Sequence, residues 1–231
     1  MIRAVRTALL LLTLAASTAA PADVPVLQQA PQLGFGYAGD VFAFVRLPDG
    51  SMIVGGTFEQ VYDPATDTST TRRNLARFDA SGNLDAGFDP APSGSVRALA
   101  LGPDGSLYIG GAFDTIAGER RYNLARLAPD GTLDPDWIPF TNGYVYSLAT
   151  DATGAVFVGG EYITIGGLLR TRLAKLSGTG AGLGDPDWRQ DANGIPWALA
   201  VSGTSLYVGG DFTQLAKIGR ASCRERVSSP V

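Results

Sequence analysis

VRALALGPDGSLYIGGAFDTIAGERRYNLARLAPDGTLDPDW, residues 96–137, decides the fold, because its pieces recur on both sides of it. The copies align on four glycine pairs, Gly55-Gly56, Gly110-Gly111, Gly159-Gly160 and Gly209-Gly210, spaced 55, 49 and 50 residues apart. A period of about 50 residues is the signature of stacked supersecondary units. Each copy opens on an apolar, β-branched or aromatic run: VFAFVRL from Val41, VRALALG from Val96, VYSLATD from Val145 and WALAV from Trp197. A turn follows, Pro48-Asp49-Gly50, Pro103-Asp104-Gly105, Ala152-Thr153-Gly154 or the shorter Ser202-Gly203-Thr204. Pro presets φ, Asp bonds its own backbone and Gly accepts positive φ, which is hairpin chemistry. The second strand is MIVGGTF, LYIGGAF, VFVGGEY or LYVGGDF, and paired glycines within a strand predict a bulge or a close approach of a neighbouring backbone.

A third strand carries NLARF (from Asn74), NLARL (from Asn123) or RLAKL (from Arg172). A further turn leads to Leu84-Asp85, to Leu133-Asp134-Pro135-Asp136-Trp137 and to Gly184-Asp185-Pro186-Asp187-Trp188, whose aromatic end completes a short outer strand or covers the sheet edge. Three to four antiparallel strands in about 50 residues predict an all-β chain of β-propeller blades. The copies occupy about 40–90, 91–140, 141–190 and an incomplete 191–216, a partial set of about 3.5 blades against the usual four to eight. Further blades are therefore expected beyond this chain. An open array leaves edge strands at both ends, so the 231-residue chain is expected to be marginally stable or oligomeric.

The order of P-D-G turn, strand ending in G-G-x-F, N-L-A-R-L and D-G-x-L-D-x-x-(W/F) resembles the delta-60 repeat family of secreted bacterial proteins, over roughly residues 40–216. The second copy fits best. The first departs by an insertion over 61–71, and the third replaces Asn-Leu-Ala-Arg with Arg-Leu-Ala-Lys. The resemblance implies a propeller fold and an exported setting, and it brings no activity or catalytic residue set.

The two ends read differently from the repeats. Arg3 and Arg6, the apolar run from Ala8 to Ala16 and the cleavage site Ala20-Pro21-Ala22 predict a secretory signal peptide over 1–22, too short to span a ~30 Å hydrocarbon layer. An extended lead-in follows over 23–39. Residues 218–227, IGRASCRERV, resemble a translated sequencing adapter, so 217–231 is expected to be an artefactual tail and the natural repeat to be interrupted near Lys217. Without signal and tail the charge moves from −4 to −9, with 12 basic against 21 acidic residues. An acidic, secreted body (extracellular or periplasmic) argues against nucleic acid as a partner, and no later segment predicts membrane insertion.

Histidine is absent and the single cysteine, Cys223, lies in the tail, which excludes Ser-His-Asp, Cys-His and His-bearing metal or haem chemistry within this chain. The D-P-D pairs, Asp134 with Asp136 and Asp185 with Asp187, have hard oxygen ligands but lack the run of an EF-type calcium loop. A turn in which one Asp accepts backbone N–H groups explains their recurrence better, so neither metal nor cofactor is assigned. Arg77, Arg126 and Lys175 hold one repeat position and are read as structural partners of turn aspartates. The informative positions are those where copies differ: Phe42, Arg97, Tyr146 and Trp197, between small first-strand residues. Alternation sets them on the opposite side of the strand, facing the channel or one mouth if this strand is innermost. Aromatics and Arg are the residue types of binding hot spots and suit sugar stacking; wedge packing between blades is the competing use. The expected function is a non-enzymatic module for binding or adhesion to a glycan or a protein surface, with no catalytic residue assigned. A carboxylate-based propeller enzyme (hydrolase, lyase or quinone-dependent, with calcium as one possible aid) and a structural spacer of a larger surface protein are the alternatives.

Overall fold

In the first three opening turns an aspartate closes the turn itself. In the computed structural model, Asp49 Oδ1 accepts the Ser51 N–H at 2.9 Å, Asp104 Oδ1 that of Ser106 at 3.0 Å, and Asp151 Oδ1 that of Thr153 at 2.9 Å. Gly50, Gly105 and Gly154 follow with φ of 87°, 81° and 86°, a region L side chains avoid. The structure describes residues 39–63 and 66–215 and the backbone of 225–228, all within a unit spanning 31–231. The expected signal peptide, all but the last residue of the lead-in and most of 217–231 lie outside the described residues.

The turns fold the chain into antiparallel sheets, and no helix occurs among the described residues. The first copy has β1 (Val41–Arg46), β2 (Met52–Gly56), a separate two-stranded hairpin of β3 (Gln60–Asp63) and β4 (Thr68–Thr71), and β5 (Leu75–Phe78), its main sheet ordered β1-β2-β5. The second repeats this with β6 (Ser95–Leu101), β7 (Leu107–Ala112), hairpin β8 (Thr115–Ile116) and β9 (Glu119–Arg120), and β10 (Leu124–Leu127). The third has β11 (Tyr144–Thr150), β12 (Val156–Glu161), hairpin β13 (Thr164–Ile165) and β14 (Leu168–Leu169), and β15 (Leu173–Leu176). The insertion over 61–71 thus lengthens a hairpin that every complete copy possesses. In the fourth sheet β16 (Pro196–Ser202) pairs with β17 (Ser205–Gly210), and β18 (Glu225–Ser228) takes the place of the third strand, Val208 opposite Glu225. That strand comes from the stretch set apart by its adapter-like sequence.

The first strands β1, β6, β11 and β16 neighbour one another in succession and form the inner line of the array. Each carries a register shift opposite its glycine pair: Val41 faces Gly56 while Ala43 faces Gly55, and the same break recurs at Val96/Ala98, Val145/Ser147 and Pro196/Ala198. The two glycines serve different neighbours. A Cβ on the second would lie 1.9 to 2.1 Å from the carbonyl oxygen of Asp40, Ser95, Tyr144 or Ile195, where the bulged strand presses in. A Cβ on the first would meet the next sheet: Gly55 would strike Val96 Cγ1 at 2.4 Å, Gly110 Val145 Cγ1 at 2.4 Å and Gly159 Pro196 Cβ at 2.9 Å.

The bulge also changes which faces the small residues use. Val96 packs with Ile53 and Leu75 of the preceding sheet, whereas Ala98 packs with Val145 and Leu148 of the following one. Plain alternation puts Val and Ala on one side; the extra residue at 42, 97, 146 and 197 sends them to opposite interfaces instead. The asparagine of N-L-A-R has its own cause. Asn74 and Asn123 stand at φ of 61° and 62°, a left-handed conformation Asn tolerates, and Asn123 Oδ1 accepts the Phe113 N–H at 3.2 Å. Arg172 occupies the same conformation at 65° without that advantage.

Two stability changes are expected. Gly110→Ala overpacks the joint against Val145 and lowers unfolding stability by about 1–3 kcal/mol, whereas Arg172→Asn raises it by about 0.5–1 kcal/mol. Equilibrium urea denaturation of the two variants checks both signs.

Candidate functional site

The D-x-x-(W/F) turns are ties. Asp134 Oδ1 accepts the backbone N–H groups of Asp136 at 2.9 Å and Trp137 at 3.2 Å, while Oδ2 accepts Arg126 Nη1 at 2.6 Å. Asp185 does the same with Asp187, Trp188 and Lys175, the last at 3.4 Å, and Asp85 with Gly87 and Arg77. Of the carboxylates that were candidates for metal or acid/base work, Asp134 and Asp185 therefore spend their oxygens on the turn and on the repeated cation, while Asp136 and Asp187 stand exposed. Partial burial opposes the charged form of Asp134 and Asp185, yet these donors hold both carboxyls below their ordinary range. Trp137 is fully buried against Tyr108, ring centroids 5.1 Å apart, and donates Nε1–H to the Ser177 carbonyl of the next sheet at 2.9 Å. Trp188 packs likewise on Phe157.

A second cation in each copy escaped the sequence reading. Arg72, Arg121 and Arg170 recur 49 residues apart, five before Arg77, Arg126 and Lys175. Each reaches back to carbonyls of the same turn: Arg72 Nη2 to Ala86 at 2.9 Å, Arg121 Nη2 to Asp134 at 3.1 Å, Arg170 Nη2 to Pro186 at 3.1 Å. The period was the available signal.

The four divergent residues do come together. Phe42, Arg97, Tyr146 and Trp197 are the bulge residues of β1, β6, β11 and β16, and they form one continuous ladder across the inner strands. The Arg97 guanidinium lies 5.0 Å from the centre of the Phe42 ring and 5.5 Å from that of Tyr146, and the Tyr146 ring is 4.8 Å from Trp197 at 43°. The ends are the open part, Phe42 at 42% and Trp197 at 47% exposure. The residue after each glycine pair supports the ladder where it is acidic: Tyr146 Oη donates to Glu161 Oε2 at 3.3 Å and Trp197 Nε1 to Asp211 Oδ2 at 2.8 Å. Burial, with the Glu161 charge adding to it, raises the Tyr146 phenol above its ordinary value, so it stays a donor. Arg97 is held between two rings, whereas the turn cations reach carbonyls or carboxylates. Its Nε is buried with no acceptor, as are those of Arg72, Arg121 and Arg126, and no carboxylate among the described residues pairs with it.

Residues 47–88 and 102–136 match the family model described as "Domain of unknown function (DUF5122) beta-propeller". The chain is a β-propeller repeat protein. Several solved structures are similar to this propeller at low identity. A gluconolactonase from Xanthomonas campestris shares 16% identity at a TM-score of 0.43, over 72% of this chain and 52% of that one. A nidogen/laminin complex gives 13% and 0.41, over 74% and 72%. A virginiamycin B lyase from Staphylococcus aureus gives 14% and 0.42, over 83% and 70%. The propeller chain spans about half the length of the gluconolactonase. No curated protein matches its sequence.

The ties set the acid stability of the protein. With carboxyls held below 3.8 in the folded state, their contribution is complete above that value and is lost as pH falls below it towards the lower folded values. Histidine is absent, so no imidazole titrates near neutrality. Thermal melting should be flat from about pH 5 to 8 and fall steeply below about 4. Asp134→Ala should cost about 2 kcal/mol at pH 7 and shallow that acid limb.

Proposed function

We propose that this propeller is an exported, non-enzymatic binding module whose ladder holds a glycan at the glycine-pair end of the inner strands. The observation that carries the reading is Arg97, a cation paired with no carboxylate among the described residues, set between two aromatic rings in a line with exposed rings at both ends. Sugar rings stack their C–H faces on aromatics, and a guanidinium fixed by two rings offers directed donors to hydroxyls or to an acidic sugar. The bulge favours such a role, since it aims one side chain per sheet off the regular pleat while Val and Ala pack the joints. Export agrees with the predicted signal over 1–22. A carboxylate enzyme is less favoured, because Asp85, Asp134 and Asp185 are already held by Arg77, Arg126 and Lys175.

A glycan array probed with the full chain, followed by titration calorimetry on the best glycan, tests the proposal. Trp197→Ala and Arg97→Ala should each weaken binding about tenfold or more, equivalent to about 1.4 kcal/mol, with cooperative melting retained. Absence of any glycan binding, or variants that lose stability while keeping affinity, would overturn the reading and leave the ladder as interface packing.

A further inference from the structure

The third copy departs from the other two where the repeated cation meets the opening turn. In the second copy three oxygens hold Arg126: Asp134 Oδ2 and Asp104 Oδ2 at 2.6 Å each, and Ser106 Oγ at 2.8 Å. The first copy carries the same side-chain types, Arg77, Asp85, Asp49 and Ser51. Backbone bonding fixes the correspondence of the third. The Gly102 N–H donates to the Ser106 carbonyl and the Asp151 N–H to that of Ala155; Gly105 and Gly154 close back on Gly102 and Asp151. Thr153 therefore stands where Asp104 does, and Ala155 where Ser106 does. Strand pairing matches the cations too, Arg126 opposite Tyr108 and Lys175 opposite Phe157.

The third copy has thus lost two of the three oxygens. The Thr153 hydroxyl turns to Asp151 Oδ1 at 2.6 Å, and Ala155 offers no side-chain acceptor. Lys175 keeps one carboxylate among the described residues, Asp185 Oδ2 at 3.4 Å. An ammonium has three N–H donors, so one distant carboxylate leaves part of that capacity unused. Beside it lies a hollow of about 300 Å³, lined by Ala155, Lys175, Leu176, Leu183 and Asp185. That volume is at the lower end for small-ligand sites.

We propose that this hollow binds the carboxylate of a sugar-sized organic acid, seated against Lys175 as the Asp104 carboxylate is seated against Arg126. The second copy shows that such a group is tolerated: Arg126 holds two carboxylates at once, and Asp185 is the counterpart of only one of them. A phosphate, with nearly two charges, suits the place less, because Asp185 repels it more strongly. Leu183, 63% exposed, offers an apolar wall to the body of the ligand. The site is built from the third copy alone and stands whether or not the ladder binds a glycan.

An amide-detected NMR titration of the full chain with glucuronate, glucose and inorganic phosphate tests it. Glucuronate should shift the amides of Ala155, Gly184 and Asp185 saturably, and glucose and phosphate should bind at least tenfold more weakly. Lys175→Met should weaken glucuronate at least tenfold. So should a graft of the second turn into the third, Asp151→Gly, Ala152→Pro, Thr153→Asp and Ala155→Ser, which fills the site with the protein's own carboxylate. Circular dichroism melting checks that both variants fold, and the graft, which completes the tie, should melt no lower than the parent. No saturable shift, equal binding of glucose or phosphate, or undiminished binding by a folded variant would each overturn the proposal. Shifts confined to Arg97 and Tyr146 would overturn it while supporting the ladder.

Discussion

The structure depends on the absence of two β-carbons. Where Gly110 and Gly111 stand, β7 yields on one side to a valine from the next sheet and on the other to the bulged backbone of β6, at distances no side chain could share. One residue admits the neighbour and the other admits the kink. Because both requirements fall on adjacent positions, the pair is repeated as a unit, and the joint and the bulge are inherited together. Cavity and overpacking costs in close-packed interiors run to several kcal/mol, so neither glycine can be exchanged independently of what it faces.

The bulge then explains why the variable residues are where they are. With Val96 committed to the preceding sheet and Ala98 to the following one, only the residue between them is released from packing the sheet faces. It stands at the edge of the inner line, close to its counterparts in the adjacent sheets but outside the core clusters. A position that touches its neighbours without filling the core can change from Phe to Arg to Tyr to Trp while the fold persists. Its partner after the glycine pair changes with it, Glu161 opposite Tyr146 and Asp211 opposite Trp197. Variation there is the footprint of a surface that the fold does not dictate.

Much of this was legible from residues 96–137. The P-D-G turns, the strands, the D-P-D-W ties and the pairing of Arg126 with Asp134 follow from local chemistry that the chain states several times over, and repetition separates rule from accident. The ladder was legible as four residues but not as a contact, because strict alternation conceals a bulge: a one-residue shift shows in sequence only as two adjacent glycines on the opposite strand. Arg72, Arg121 and Arg170 were overlooked for a different reason. Their shared acceptors are backbone carbonyls, which every residue has, and among the described residues Arg72 alone of the three also reaches a carboxylate, Asp89 at 3.6 Å. The unusual φ of Arg172 could be suspected only by comparison with Asn74 and Asn123.

Arg97 shows how the same residue type is assigned opposite tasks by its surroundings. Arg126 meets Asp104 and Asp134 at 2.6 Å each, and burial, opposed by those carboxylates, leaves its guanidinium even more firmly protonated. Its charge is thereby neutralised by two fixed partners and is unavailable to a ligand. Arg97 keeps its charge against the faces of two rings, which attract a cation but supply no hydrogen-bond acceptor. A π face satisfies the charge and leaves the N–H groups unspent, so the residual demand of this site is for oxygen atoms arriving from outside. In the proposed reading, hydroxyl and carboxylate oxygens of a stacked sugar would meet that demand, which is why the ladder, and not the more numerous turn carboxylates, is the proposed site.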